Sequence, residues 1–179
     1  MALSETRLPQ HSILNNGIRY DYVDSFTGEL NDKKHCITSA KVGKAFFTSA
    51  PVWVAKLLAL RDRIAGVSGL KTSGNTRNRQ QQLNRFTCEP GDQLGLFKVY
   101  SKTEHEVVLG EDDKHLNFRV SLYLEPESMN AAIKKLTIST VVKFNNLFGR
   151  LYFLPVRPFH RIIVPKMLKG IIRELEKNY

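Results

Sequence analysis

The sequence predicts an α+β fold: a curved antiparallel sheet of about five to seven strands gripping a long, kinked C-terminal helix, with two short helices after the first strand. Three observations lead there. Between Gln93 and Phe144, apolar and polar residues alternate in runs separated by short polar turns, the mark of strands with one buried face. From Val164 to Leu175, the residues Val164, Met167, Leu168, Ile171, Ile172 and Leu175 gather on one side of a helical wheel, the mark of a helix packed along one stripe. Consecutive hairpins make an antiparallel meander whose apolar face needs a cover, and the terminal helix is the element that can supply it.

Bulk composition agrees. The chain has 179 residues, 42% of them hydrophobic and 25% charged, enough for one domain with a real core and too few for two comfortable ones. Such a composition argues against a disordered chain. Residues 1–17 are polar and read as a flexible N-terminal arm, with 18–179 as a single domain. No positive flank precedes an apolar core at the N-terminus, and Lys56 interrupts the best apolar run, Ala50 to Leu60. A cytoplasmic protein without a transmembrane segment is the expectation. Cys36 and Cys88 share no metal-ligand spacing; two idle thiols are favoured over one disulfide.

In chain order, Ile18 to Phe26 is the first strand, with Tyr20 and Tyr22 on one face and Asp24 as an alternative turn starter. Ser39 can cap a helix carrying Val42, Phe46 and Phe47. Ser49 can cap a second, with Pro51 in its first turn and an apolar stripe of Trp53, Leu57, Leu60 and Ile64. Residues 71–92 form a long polar linker, which suggests a lid, a mobile loop or a short helix over a cleft. Leu94, Leu96, Phe97 and Val99 mark the next strand, followed by Glu106 to Glu111 after a turn at Ser101–Thr103. Gly110 to Lys114 is the turn into Leu116–Leu124, where Leu116, Phe118, Val120, Leu122 and Leu124 share the buried face and Asn117, Arg119, Ser121 and Tyr123 the other. Glu125 to Asn130 is the third turn, and Ile133 to Phe144 the last strand. Leu147, Leu151 and Leu154 fit a short helix. Pro155 and Pro158 mark a break and restart, and Pro165 a kink.

Charge is unevenly spread over a formal net of +10. From Lys134 to the C-terminus ten basic residues face only Glu174 and Glu176, whereas Glu104 to Glu127 carries seven acids against Lys114 and Arg119. Solubility and mutual attraction of the two regions account for this pattern. An anionic partner, nucleic acid or phospholipid, is the competing reading. That partner would meet the basic helix face and loop 71–88, where Lys71, Arg77, Arg79 and Arg85 face no acid; aromatics are sparse in the loop, only Phe86, so nucleic-acid stacking has little support.

Four separated blocks carry a resemblance: Ser49–Arg63, Gly95–Val99, Glu106–Ser121 and Gly149–Arg161. In order and spacing they resemble the bacterial domain-of-unknown-function 2867 family over Tyr20 to Leu175. That resemblance implies no established activity. By analogy of element order it implies a helix-grip architecture, START-like or polyketide-cyclase-like, enclosing an apolar ligand. Relatives attached to reductase-like domains imply a reductase-like partner protein. This chain has no G-x-G-x-x-G after a strand, so no nicotinamide cofactor is implied.

Candidate functional residues follow from the fold. A small apolar or amphipathic ligand held between sheet and terminal helix would meet Trp53, Phe97 and Phe118, with Arg119, Arg150, Tyr152, Arg157 and His160 at the cavity or its mouth. Trp53, on the apolar stripe of an amphipathic helix, reads first as core. Arg150 and Arg157 can clamp an anion with Tyr152 and His160, or can pair with Glu111, Asp112 or Asp113. Asp112, Asp113 and His115 form the densest ionisable cluster, open to acid–base or metal chemistry but also good turn composition. A cyclase-like or hydrolytic enzyme using His115 or His160 is the alternative to a binding module. No residue is assigned as catalytic or metal-binding, because no nucleophile, zinc or phosphate-loop pattern occurs.

Overall fold

The computed structural model describes residues 3–51, 54, 79–125 and 132–179. Its elements are β1 (Leu3–Glu5), β2 (Tyr22–Asn31), α1 (Ser39–Thr48), α2 (Arg79–Arg85), β3 (Gln93–Leu94), β4 (Phe97–Lys102), β5 (Glu106–Asp112), β6 (Leu116–Leu124), β7 (Ile133–Phe144) and α3 (Leu147–Asn178). The strands form one curved, antiparallel, open sheet in the order β1-β2-β7-β6-β5-β4-β3. The meander from β3 to β7 is the predicted one. Its closure is long-range: β2 pairs with β7 from Tyr22↔Val142 to Asn31↔Ile133.

The expected single strand around Leu94–Val99 is split in two. Gly95 turns at φ 61° between β3 and β4, a conformation that glycine adopts without steric cost. Strand β5 runs three residues into the expected turn and ends at Asp112. The first helix begins one residue earlier than the Ser39 cap implies. Thr38 is its N-cap, accepting from the Lys41 amide, while the Ser39 hydroxyl donates to the Thr103 carbonyl at 2.6 Å. Ser49 closes α1 instead of opening the next helix: its amide donates to the Ala45 carbonyl. Of that next helix, Val54 is helical and buried; Trp53, Leu57, Leu60 and Ile64 lie outside the described residues, as do linker positions 71–78 and turn positions 126–130. The linker's second part does form a short helix, α2.

The largest core lies between the sheet and the helices. Leu30, Leu109, Leu122, Leu136 and Ile138 from the strands meet Leu168, Ile171, Ile172 and Leu175 from α3, all at most 1% exposed. Every residue of the predicted α3 stripe from Val164 to Leu175 is buried. Aromatic rings from α1, α2's C-terminal flank, β4 and β6 (Phe46, Phe47, Phe86, Phe97 and Phe118) pack edge-on with centroids 5.0–5.9 Å apart. The room expected between sheet and helix is therefore filled along the C-terminal half of α3.

Helix α3 is continuous from Leu147 to Asn178 and passes through Pro155, Pro158 and Pro165, where the sequence predicts a break and restart. A proline removes the bond to the carbonyl four residues back. Those carbonyls belong to Leu151, Leu154 and Arg161, all on the exposed side, where water can satisfy them.

The outer sheet face is not simply wet. Residues 1–17, expected as a flexible arm, include β1 and the buried Ser12 and Leu14. Leu14 packs on Val108 and Val141, with Leu8, Tyr20 and Tyr100 around it. The buried Glu106 carboxylate accepts from the Ser12 hydroxyl at 2.6 Å, the Ile13 amide at 2.7 Å and the Ser121 hydroxyl. Ser121 and Tyr123, expected on an open face, are buried.

Candidate functional site

Three segments meet at the start of α3: the beginning of β2, the end of β7 and the first turns of the helix. Asn146 caps the helix, its Oδ1 accepting from the Gly149 amide at 3.0 Å while its Nδ2 donates to the Lys114 carbonyl at 3.0 Å. A Cβ on Gly149 would stand 2.1 Å from the His115 carbonyl oxygen, so only glycine lets the helix come this close to the β5–β6 hairpin. The His115 ring lies 4.5 Å from Phe148 and its Nδ1 contacts Asn146. Hairpin composition is thus spent on docking the helix. Asp113 accepts from the His115 amide, and Asp112 is held by Arg119 at 2.9 Å and by the Tyr100 hydroxyl at 3.0 Å. The expected pairing of Arg150 and Arg157 with the hairpin acids gives way to other partners. Arg150 lies 3.7 Å from Asp21, and Arg157 lies over the Tyr22 ring, 5.6 Å from its centre.

Beyond this junction an open groove of about 190 Å³ runs between sheet and helix, lined by Asp21, Tyr22, Phe144, Arg150, Phe153, Leu154 and Arg157. Phe153 packs edge-on against Tyr22 at 4.8 Å and against Phe144 at 5.6 Å, which gives the groove aromatic walls. Asp21 is occupied: its Oδ2 accepts from the Phe144 amide at 2.8 Å.

Tyr22 leads from the groove into a buried polar network. Its hydroxyl donates to Asp24 Oδ2 at 2.7 Å, and His160 Nδ1 lies 3.0 Å from the same oxygen. The side chain of Asp24 is 3% exposed and that of His160 is 22% exposed. Asp24 and Thr140 pair across the β2–β7 ladder; Asp24 Oδ1 and Thr140 Oγ1 make no hydrogen bond of good geometry, but the Thr140 hydroxyl adds to what holds the Asp24 carboxyl low. Burial by itself raises the Asp24 pKa, but the hydrogen bond and charge of His160 and the Tyr22 hydroxyl together hold it below the usual carboxylate value. Burial, then the bond to Asp24, pushes the Tyr22 hydroxyl well above the ordinary phenol. The network therefore keeps a carboxylate charged and a phenol neutral beneath a groove rimmed by guanidinium groups.

The sequence-predicted residues divide among separate places. Arg150 and Arg157 line this groove, Tyr152 packs beside its floor in the cluster with Tyr22 and Phe153, and His160 closes the Asp24 network. Phe97 and Phe118 belong to the aromatic core. Arg119 lies on the opposite sheet face, stacked 3.5 Å from the Tyr100 ring centre, in a second open groove of about 400 Å³ beside the N-terminal arm. His115 and His160 do not converge; Phe148, which His115 stacks on, precedes His160 by twelve residues, about 18 Å of helix. Sequence reasoning missed Tyr22, Asp24, Phe144 and Phe153. One signal was present: Asp24 stands two residues from both Tyr22 and Phe26, in the buried register of a strand, where a carboxylate needs a partner.

Cys36 and Cys88 are free, and burial pushes the Cys88 thiol up to about 11, away from nucleophilic reactivity. Among the described residues, no three His, Cys, Asp or Glu side chains are grouped to hold a metal, and no helix is long and apolar enough to cross a membrane.

No curated protein and no solved structure matches the chain. The family described as "Protein of unknown function (DUF2867)" matches residues 18–167, which takes in all of the groove and the Asp24 network. The chain belongs to the DUF2867 family of proteins of unknown function.

Proposed function

We propose that the protein is a binding module for a small amphipathic anion, held in the groove between sheet and terminal helix. One observation carries the reading: aromatic walls from Tyr22, Phe144 and Phe153 stand beside the Arg157 guanidinium, above a floor fixed by the Asp24 network. Aromatic surfaces shelter an apolar body, and guanidinium groups bind carboxylate or phosphate through charge-assisted hydrogen bonds. At about 190 Å³, the groove is smaller than the ~300–1,000 Å³ of drug-sized sites. The guest's head and one ring or short chain fill it. The helix-grip analogy is compatible with this reading, with the guest at the helix's N-terminal half.

Isothermal titration with benzoate, octanoate and inorganic phosphate tests it. The two organic acids are expected to bind, with Arg157→Gln weakening them about tenfold or more, since a charge-assisted bond contributes about 1.5–3 kcal/mol. No heat or thermal shift with any organic anion, or binding indifferent to Arg157→Gln, contradicts the proposal.

The Asp24–His160 hydrogen bond favours a second reading, proton transfer in a cyclase-like or hydrolytic reaction, because a carboxylate that orients an imidazole is a recurring general-base arrangement. A bound ester recovered cleaved by the wild type but intact by His160→Gln would support it. Recovery unchanged from both leaves binding alone.

A further inference from the structure

The first half of α3 is apolar on both sides. Its inner side meets the sheet through Gly149 and Phe153. Its outer side carries Leu147, Leu151, Leu154, Phe159 and Ile162, each 51–69% exposed, with Phe148 at 42%. Spacings of three to five residues spread them over one broad exposed arc about 22 Å long. A helix on a protein surface is ordinarily polar on its outer side, and a contiguous apolar patch marks a docking surface.

Charge identifies the occupant. From Leu147 to Arg173 the helix has no Asp or Glu. Arg150, Arg157 and Arg161 fall along one flank of the stripe on the helical wheel, and Lys166 follows its end. We propose that this face docks on an anionic phospholipid bilayer, with the apolar stripe at the acyl boundary and the cations at the level of the phosphates. Large exposed apolar side chains flanked by Arg and Lys are what such an interfacial helix requires. A second copy of this chain fits worse, because it would set rows of arginine side by side on a protein of net charge +10 with no acid in the stretch to neutralise them. Leu154, Arg150 and Arg157 also line the ligand groove, whereas Leu147, Leu151, Phe159 and Ile162 do not, so the stripe is tested through Leu151 and Phe159.

The experiment is co-sedimentation of the full chain with phosphatidylcholine vesicles, with and without about one third phosphatidylglycerol. Binding is expected only with the anionic lipid. The double variant Leu151→Glu/Phe159→Glu is expected to bind about tenfold or more weakly, with unchanged far-ultraviolet circular dichroism and unchanged groove affinity for benzoate. Absence of binding at low salt overturns the proposal. So does binding that the double variant leaves intact, which would mean attraction by charge alone. A wild type that is dimeric, does not bind vesicles and becomes monomeric in the variant would assign the face to a second copy.

Discussion

Asp24 is a carboxylate in the buried register of a strand, and its two donors come from different elements: Tyr22 from the same strand and His160 from α3. Removing it leaves both donors without their acceptor in a desolvated place. Asp24→Ala is expected to cost about 1–3 kcal/mol in chemical denaturation, and unchanged stability would contradict the network. The pH dependence has a defined sign. Because the folded carboxylate is held low, its contribution is fully present above the unfolded value near ~3.9 and is lost as pH falls below it. Asp32 and Asp92 are also held low and share this acid limb. Asp24→Asn should therefore flatten part of it. Tyr22 is raised, so its contribution is present below about 10 and lost as pH rises beyond; Tyr100 and Tyr123, raised as well, share that limb. At this scale the sequence was only half legible. Arg150, Arg157 and His160 could be picked out because charged and aromatic residues crowd together in the chain. Their partners Tyr22 and Asp24 lie over a hundred positions away, and nothing local joins them.

Elements were more legible where periodicity decides them. Strands β6 and β7 and the C-terminal stripe of α3 stand where alternation and the helical wheel put them. Punctuation misled at the prolines, because the carbonyls they free lie on the solvent side and the helix need not stop. It misled again at Gly95, where one expected strand is two. The N-terminal segment misled most. Its polarity reads as an arm, yet Ser12 and the Ile13 amide are drawn to the buried Glu106, a strand residue that alternation alone places on an open face. Glu106→Ala is expected to lower stability by about 1–3 kcal/mol and to speed hydrogen exchange at the Ile13 amide. Unchanged exchange there would mean that Glu106 does not fasten the segment.

For the whole molecule, two faces of one sheet do different work. Among the described residues, the inner face packs into the core with α1 and α3, and a groove lies towards the start of α3. The outer face is partly roofed by the N-terminal segment. The edge strands β1 and β3 have three and two residues, too short to template pairing with another chain. Hairpin order was readable from the sequence, because neighbouring strands in the chain pair. The β2–β7 pairing was not, since it joins residues more than a hundred apart, and the groove exists only because of that pairing. Amide chemical-shift mapping with benzoate tests the central claim most directly. Shifts gathered at Asp21, Tyr22, Phe144, Phe153 and Arg157 are the expected result. Shifts gathered instead at Tyr100, Asn117, Arg119 and Lys143 on the opposite face, or scattered over the surface, would contradict it.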